Sequence, residues 1–367
     1  MKRLLTLLFF ALLLAGVLLV AAPAGATECY PTPGGVYVCD ARPVLPAFST
    51  PHYASESILF TTTYAWIEDY APLYAEPNFG AEIVDQETEG ILYTTVDAIT
   101  TDAEGNTWYQ IRGKWASADS IHVVEESKFS GVIVNVQPER PFGWVLYGYQ
   151  PRSVPDAEPA ESDPWVSRYT FVQVYGVAQG ADDWIWYDIG GGRWIKQNYV
   201  ALVDASPRPE GVGARDFWVE VDLYGQVFAA YEGDRMVYAG LVSSGLDRFP
   251  TNEGLFTVWG RDLEVLMYGG EVGDDYYYLE DVPHTMFFDK EIALHGAYWH
   301  DDFGQKRSHG CVNMPPRDAE WVYYWSANAP GDLWVWVHSR EQDYYLQQYG
   351  AALQAAAAPP TFAYAGR

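Results

Sequence analysis

The sequence predicts a mainly β protein of several domains, and three observations carry that expectation. Aromatic residues are abundant, with 15 Trp, 28 Tyr and 16 Phe, and they fall in short runs with Val and Thr that suit a pleated, half-buried surface. Thirty-three Gly and 23 Pro punctuate the chain, leaving little room for long helices. The chain also resembles itself when shifted by 78 positions, as tandem domains do. A length of 367 residues suggests two or three domains, and 49% hydrophobic residues supply their cores. Against 22 Lys plus Arg stand 49 Asp plus Glu, a net charge of −27. Such a surface repels a phosphate backbone, so nucleic acid is excluded as a partner.

Taken in order, residues 1–26 read as a secretory signal: Lys2 and Arg3, an apolar run from Leu4, then Ala24-Gly25-Ala26 as a small-x-small cleavage site. The expected location is therefore extracytoplasmic, in the wall or periplasm or secreted, with membrane attachment only if the leader is retained. Residues 27–54 form an N-terminal segment in which Cys29 and Cys39 bracket "CYPTPGGVYVC". Outside the cytoplasm these two are expected to pair as a disulfide, leaving Cys311 free. The repeat occupies residues 55–126 and 127–206. "YAWI" at Tyr64 falls on "FGWV" at Phe142, "WYQI" at Trp108 falls on "WYDI" at Trp186, and one inserted residue later Trp115 meets Trp194. Short alternating strands and turns such as "EGN" and "GGG" predict a small barrel in each copy, with Gln150–Pro164 a long loop inside the second.

The Pro/Gly stretch Asp204–Ala214 reads as a linker, after which residues 213–338 begin a new domain. Its opening "FWVEVDLYGQVFAAYEGDRMVYAGLVSSG" predicts a β-meander. One helix is expected after Pro315-Pro316, ending before Pro330-Gly331, followed by the strand "LWVWVH". The tail, 339–367, carries no recognisable chemistry.

The chemistry concentrates in "SHGCVN", residues 308–313. If extended, it projects His309, Cys311 and Asn313 to one side. Thirteen positions before Ser308, "EIALHG" delivers a second His-Gly, His295-Gly296. A thiol reacts as thiolate and needs a base or positive field nearby, which histidine supplies. Backbone N–H groups at His309-Gly310-Cys311 are natural donors to an oxyanion. Other readings stay open at this point: a buried structural cysteine, or a metal site from His284, His295, His309 and Cys311, whose intervals match none of the familiar short-spaced zinc patterns. His300 and His338 read as solvated or packed, and His52 and His122 lie in the N-terminal part of the chain, away from this group.

Residues 213–338 resemble the catalytic domain of L,D-transpeptidases, the YkuD-type family. The match is His295-Gly296, eleven residues (297–307), then Ser308-His309-Gly310-Cys311-Val312-Asn313, with "LVSSGLDRFPTNEG" similar to the family's serine-rich strand followed by Thr-Pro-x-Gly. Asn252 replaces that proline. The repeats, through W-Y-x-I, Gly, then Trp, resemble bacterial SH3-like domains. Together the resemblances imply two tandem SH3-like β-barrels followed by a β-sandwich or barrel with one helix after the cysteine. They imply Cys311 as nucleophile, His295 as base and then acid, His309 to Cys311 as oxyanion hole, and Ser308, Gly310, Asn313, Gly296 and Tyr277 shaping the site or touching substrate.

The reaction implied is cross-linking of peptidoglycan stem peptides through a cysteine acyl-enzyme. It needs no metal or organic cofactor, and carbapenem-type β-lactams are expected to trap the thiol. The repeats would bind glycan or wall polymer. An L,D-carboxypeptidase and a non-catalytic wall-binding protein are the alternatives. A papain-like peptidase has its cysteine ahead of its histidine, the reverse of the order here.

Overall fold

Alternation along Phe217–Asp222 and Val227–Glu232 organises the C-terminal part of the chain. Val219, Val221, Phe228 and Ala230 point to one side of their sheet, where they join Met286, Leu294, Val312 and Met314 of a second sheet and Ala319 and Val322 of a helix. Trp218, Val227, Ala229 and Tyr231 point to the other side, against Phe142, Trp144, Ala201 and Val203 of the second repeat. Both faces are buried, so these strands read as nearly unbroken apolar runs.

The structure is a computed structural model and describes residues 28–31, 37–40, 47–53, 57–159 and 164–357. It is mainly β, as the composition predicts. The first sheet runs in the order Gly254–Thr257, Trp334–His338, Phe217–Asp222, Val227–Glu232, Arg235–Leu241, Val132–Val134, Phe48–Ser49. The second runs Ile121–Val123, Tyr64–Ile67, Ile91–Thr95, Tyr277–Asp289, Ile292–Gly296, Val312–Met314, with Gly260–Gly269 also paired to Tyr277–Asp289. The helix expected after the paired prolines spans Pro316–Ser326, with Pro316 inside its first turn.

The two repeats share one pattern of strand pairing. Tyr64–Ile67 lies between Ile91–Thr95 and Ile121–Val123, as Phe142–Val145 lies between Phe171–Gln173 and Val200–Val203. Tyr74 opposes Trp115 in the first copy, and Arg152 opposes Trp194 in the second. The inserted residue falls in the turn Gly190-Gly191-Gly192, where all three φ angles are positive.

Three boundaries read from the sequence shift. Val132–Val134, placed with the second repeat, pairs instead with Arg235–Leu241 of the C-terminal sheet. The linker separates little, because the second repeat and that sheet share a core. The tail also has a structural part: Tyr344–Ala357 is a helix whose Tyr345 enters the core of the second repeat and donates to Leu202 O at 2.8 Å. Arg340 ties the tail to Asp222 and Glu220.

The hairpin of Glu28–Pro31 and Tyr37–Asp40 belongs to a unit ending at Pro46, and Ala47 onward is a second compact unit. The register sets Cys29 opposite Cys39; their side chains lie outside the described residues, as does the segment expected to be a leader. Among the described residues no helix is long and apolar enough to cross a membrane.

Candidate active site

The "SHGC" segment is a turn, and the expected extended strand begins only at Val312. Ser308 Oγ accepts the Gly310 N–H at 3.1 Å and donates to the Cys311 carbonyl. Gly310 sits at φ +120°, where an L side chain is strained although its Cβ would meet only ordinary contacts with Ile292 and Phe249, so its backbone freedom is what the turn uses. Thr251 Oγ1 receives the Gly245 N–H at 2.9 Å and donates to Gly310 O at 2.8 Å. The serine-rich segment holds the turn from beneath: Ser244 O accepts the Arg307 and Ser308 N–H groups at 2.8 and 3.0 Å, and Ser243 exchanges both backbone bonds with Asn313.

His295 arrives on the neighbouring strand. Ile292–Gly296 pairs in parallel with Val312–Met314, setting Leu294 opposite Val312 and His295 opposite Asn313. The buried His295 ring has Nδ1 3.3 Å from Gly296 O. Nδ1–H donates there, leaving the Nε2 lone pair as the basic atom. Burial lowers its pKa to about 4, so the ring is neutral at pH 7.

Cys311 is half-buried, and its thiol donates to Glu291 O at 3.7 Å. Burial pushes its pKa up to about 11, helped by Glu291 and opposed by a backbone bond at Ala293. The expectation of a histidine-stabilised thiolate is thus corrected for the resting site: loss of water outweighs the neighbouring rings, and thiol and imidazole are both neutral.

A cleft of about 520 Å³ opens over these groups, lined by Cys311, His295, His309, Ser308, Asn313 and Tyr277 among others. His309 lies between Phe249 and Tyr277, with ring centroids 4.5 and 4.9 Å away, and its Nε2 is 3.9 Å from Asp275. Its pKa is lowered by burial, against Asp275. Arg248, Lys306 and Arg307 line the cleft, each paired with a carboxylate, of Asp274, Asp247 and Asp302 respectively, and among the described residues no Asp or Glu lines it.

Residues 216–337 match the family model for YkuD, the L,D-transpeptidase catalytic domain. This segment is similar to a YkuD-type domain. The curated Bacillus subtilis (strain 168) protein "Putative L,D-transpeptidase YciB" is 29% identical over 119 residues, which cover 29% of this chain and 59% of that protein. The chain thus spans less than two thirds of that relative's length. Among solved structures, the catalytic domain of the E. faecium L,D-transpeptidase is 25% identical with a TM-score of 0.30, covering 34% of this chain and 98% of that one. The L,D-transpeptidase from Mycobacterium smegmatis is 17% identical with a TM-score of 0.32, covering 68% and 94%.

Within the YkuD domain Ser308 shapes the site through the turn, its hydroxyl committed on both sides, whereas one expected role changes. Gly296 does not line the cleft: a Cβ there would press on Pro283 and Pro316, so it is a packing glycine. The metal grouping is also dispersed, since His284 packs against Tyr323 and Tyr324 and is absent from the cleft wall. Two residues escaped sequence reading. Thr251 was visible only as part of "FPTNEG". His300, read as solvated or packed, has Nε2 3.0 Å from the Asn313 carboxamide, while Nδ1 accepts the Asp302 N–H. Asn252, in place of the family's proline, bonds Asp289 at 2.7 Å.

Proposed function

We propose that the YkuD domain is a cysteine L,D-transpeptidase of peptidoglycan stem peptides, acting outside the cytoplasm. The observation that carries this is the pairing of a thiol on a Ser308-locked turn with a neutral histidine, tautomerically fixed by Gly296 O, in one cleft. The Cys311 thiol rotates from Glu291 O toward His295 as substrate enters. His295 Nε2 takes the S–H proton while sulfur bonds the carbonyl carbon after the third stem residue. Gly310 N–H is occupied by Ser308, so the developing oxyanion falls to the His309 and Cys311 amides. Collapse breaks the C–N bond, and His295-H⁺ protonates the departing D-residue. An acceptor amine then attacks the thioester, giving up its proton to His295, and Cys311 leaves as the thiol once that proton reaches sulfur. Asn313, held by His300, and Tyr277 border the peptide.

The test incubates the protein with a stem tetrapeptide and an amine acceptor and follows both by mass spectrometry. A Cys311 thioester lacking the terminal residue, then a cross-linked product, is expected. Hydrolysed tripeptide alone would instead make this an L,D-carboxypeptidase. Turnover by Cys311→Ala equal to the wild type would reject the nucleophile.

A further inference from the structure

The cleft is not built by the YkuD domain alone: Trp66, Gly90, Ile91 and Tyr93 of the first repeat line it too. Ile91–Thr95 pairs in parallel with the start of Tyr277–Asp289, so that Ile91 opposes Tyr277 and Tyr93 opposes Leu279. Along Tyr64–Ile67, Ala65 and Ile67 enter the repeat's own core while Tyr64 and Trp66 face away. Tyr64 stacks on Tyr298 at 3.7 Å. Trp66, on the same face, is 37% exposed. The register sets His122 opposite Trp66 and Trp66 opposite Tyr93, an aromatic row across three strands. His122 stacks on Trp66 at 4.9 Å, and Tyr93 donates its hydroxyl to Trp299 O at 3.2 Å. The Trp299 ring lies 5.6 Å from that of His295. The row therefore leads from the base outward to an open tryptophan.

The second repeat shows what such a face does when it is covered. Its equivalents of Trp66 and Tyr93 are Trp144 and Phe171, paired in the same register, and they pack into the core shared with the YkuD domain, Trp144 fully buried. In the first repeat Tyr298 covers Tyr64, while Trp66 on the same face stays open in the wall of the cleft.

We infer that Trp66, with Tyr93 beside it, is a saccharide platform that holds the sugar carrying the stem peptide. This rests on the proposed transpeptidase reading. A stem peptide is covalently joined to a sugar, so the group that follows it out of the cleft is a pyranose. The C–H face of that ring stacks on indole, and its hydroxyl edge meets Arg307, which lines the same cleft and pairs with Asp302.

Binding is measured by calorimetry on Cys311→Ala protein, which cannot turn over, using a stem tetrapeptide and the same tetrapeptide attached to its disaccharide. The disaccharide is expected to tighten binding, and Trp66→Ala is expected to cut that gain roughly 3- to 10-fold, the scale of one aromatic stacking contact. Trp66→Phe should keep most of it. No gain from the disaccharide, or a gain untouched by Trp66→Ala, overturns the inference. Acylation of the wild type by the free tetrapeptide is followed in parallel. Acylation without a saccharide gain rejects the platform and leaves the transpeptidase reading standing, whereas a saccharide gain without acylation does the reverse.

Discussion

Cys311 and His295 line one cleft as neutral groups, and this decides how their chemistry depends on pH. Burial holds the thiol near pKa 11 and the imidazole near 4. A general base must be unprotonated, so acylation by a stem peptide should survive acidification well past the usual histidine range. We predict an acid limb near pH 4 in place of one near 6.5. Iodoacetamide, which reads the resting thiolate, should instead speed up continuously above neutrality without a plateau. A plateau at pH 6–8 would show a preformed ion pair. His295→Ala should slow acylation by roughly 10²- to 10⁴-fold while leaving the alkylation profile in place, because a neutral ring does not stabilise the resting thiolate. Both residues stand out in the sequence as candidates through their glycine-flanked motifs, and the structure brings them into one cleft. Their protonation was not, because it follows from desolvation by residues distant in sequence. His300 was missed for the same reason: nothing local marks a histidine whose partner is thirteen positions away.

At the scale of elements, alternation and turn chemistry were good guides to strands and to the Pro316 helix but failed at the catalytic turn. "SHGCVN" has the alternation of a strand, and two side-chain hydroxyls override it. Ser308 closes the turn from within, and Thr251 pins Gly310 O and Gly245 N–H from a loop nearly sixty residues earlier. Thr251→Val leaves that buried N–H unpaired and should cost about 1–3 kcal/mol in denaturant unfolding. Acylation should slow with it, and Thr251→Ser should restore both. A normal rate in Thr251→Val would mean that the turn holds its shape without the bridge. The N-terminal hairpin gives a second prediction, since Cys29 and Cys39 are register partners. Under non-reducing denaturation one thiol, Cys311, should label, and all three should label after reduction. Three labelled thiols before reduction would remove the disulfide.

For the whole molecule, the repeats were legible because they recur, but how they attach was not, since docking leaves no periodic trace in a sequence. A Pro/Gly segment at Asp204–Ala214 looks like a tether, yet Phe129, Val132, Val134, Phe142, Trp144 and Leu146 all enter the core that Trp218 and Tyr231 line from the other side. Burying a large apolar side chain is worth about 1.5–3 kcal/mol. Six of them together rival the roughly 5–15 kcal/mol by which a whole domain is stable. A chain beginning at Pro209 should therefore fail to fold, giving aggregation or a broad thermal transition, although it holds every residue of the YkuD domain. A chain beginning at Glu126 keeps that core and should unfold sharply. It loses Trp66, Ile91 and Tyr93 from the cleft wall, so it should still alkylate at Cys311 while acylating poorly. Circular dichroism melts of the two truncations decide the point: a sharp transition from Pro209 onward would show that the YkuD domain carries its own stability and that the shared core is dispensable.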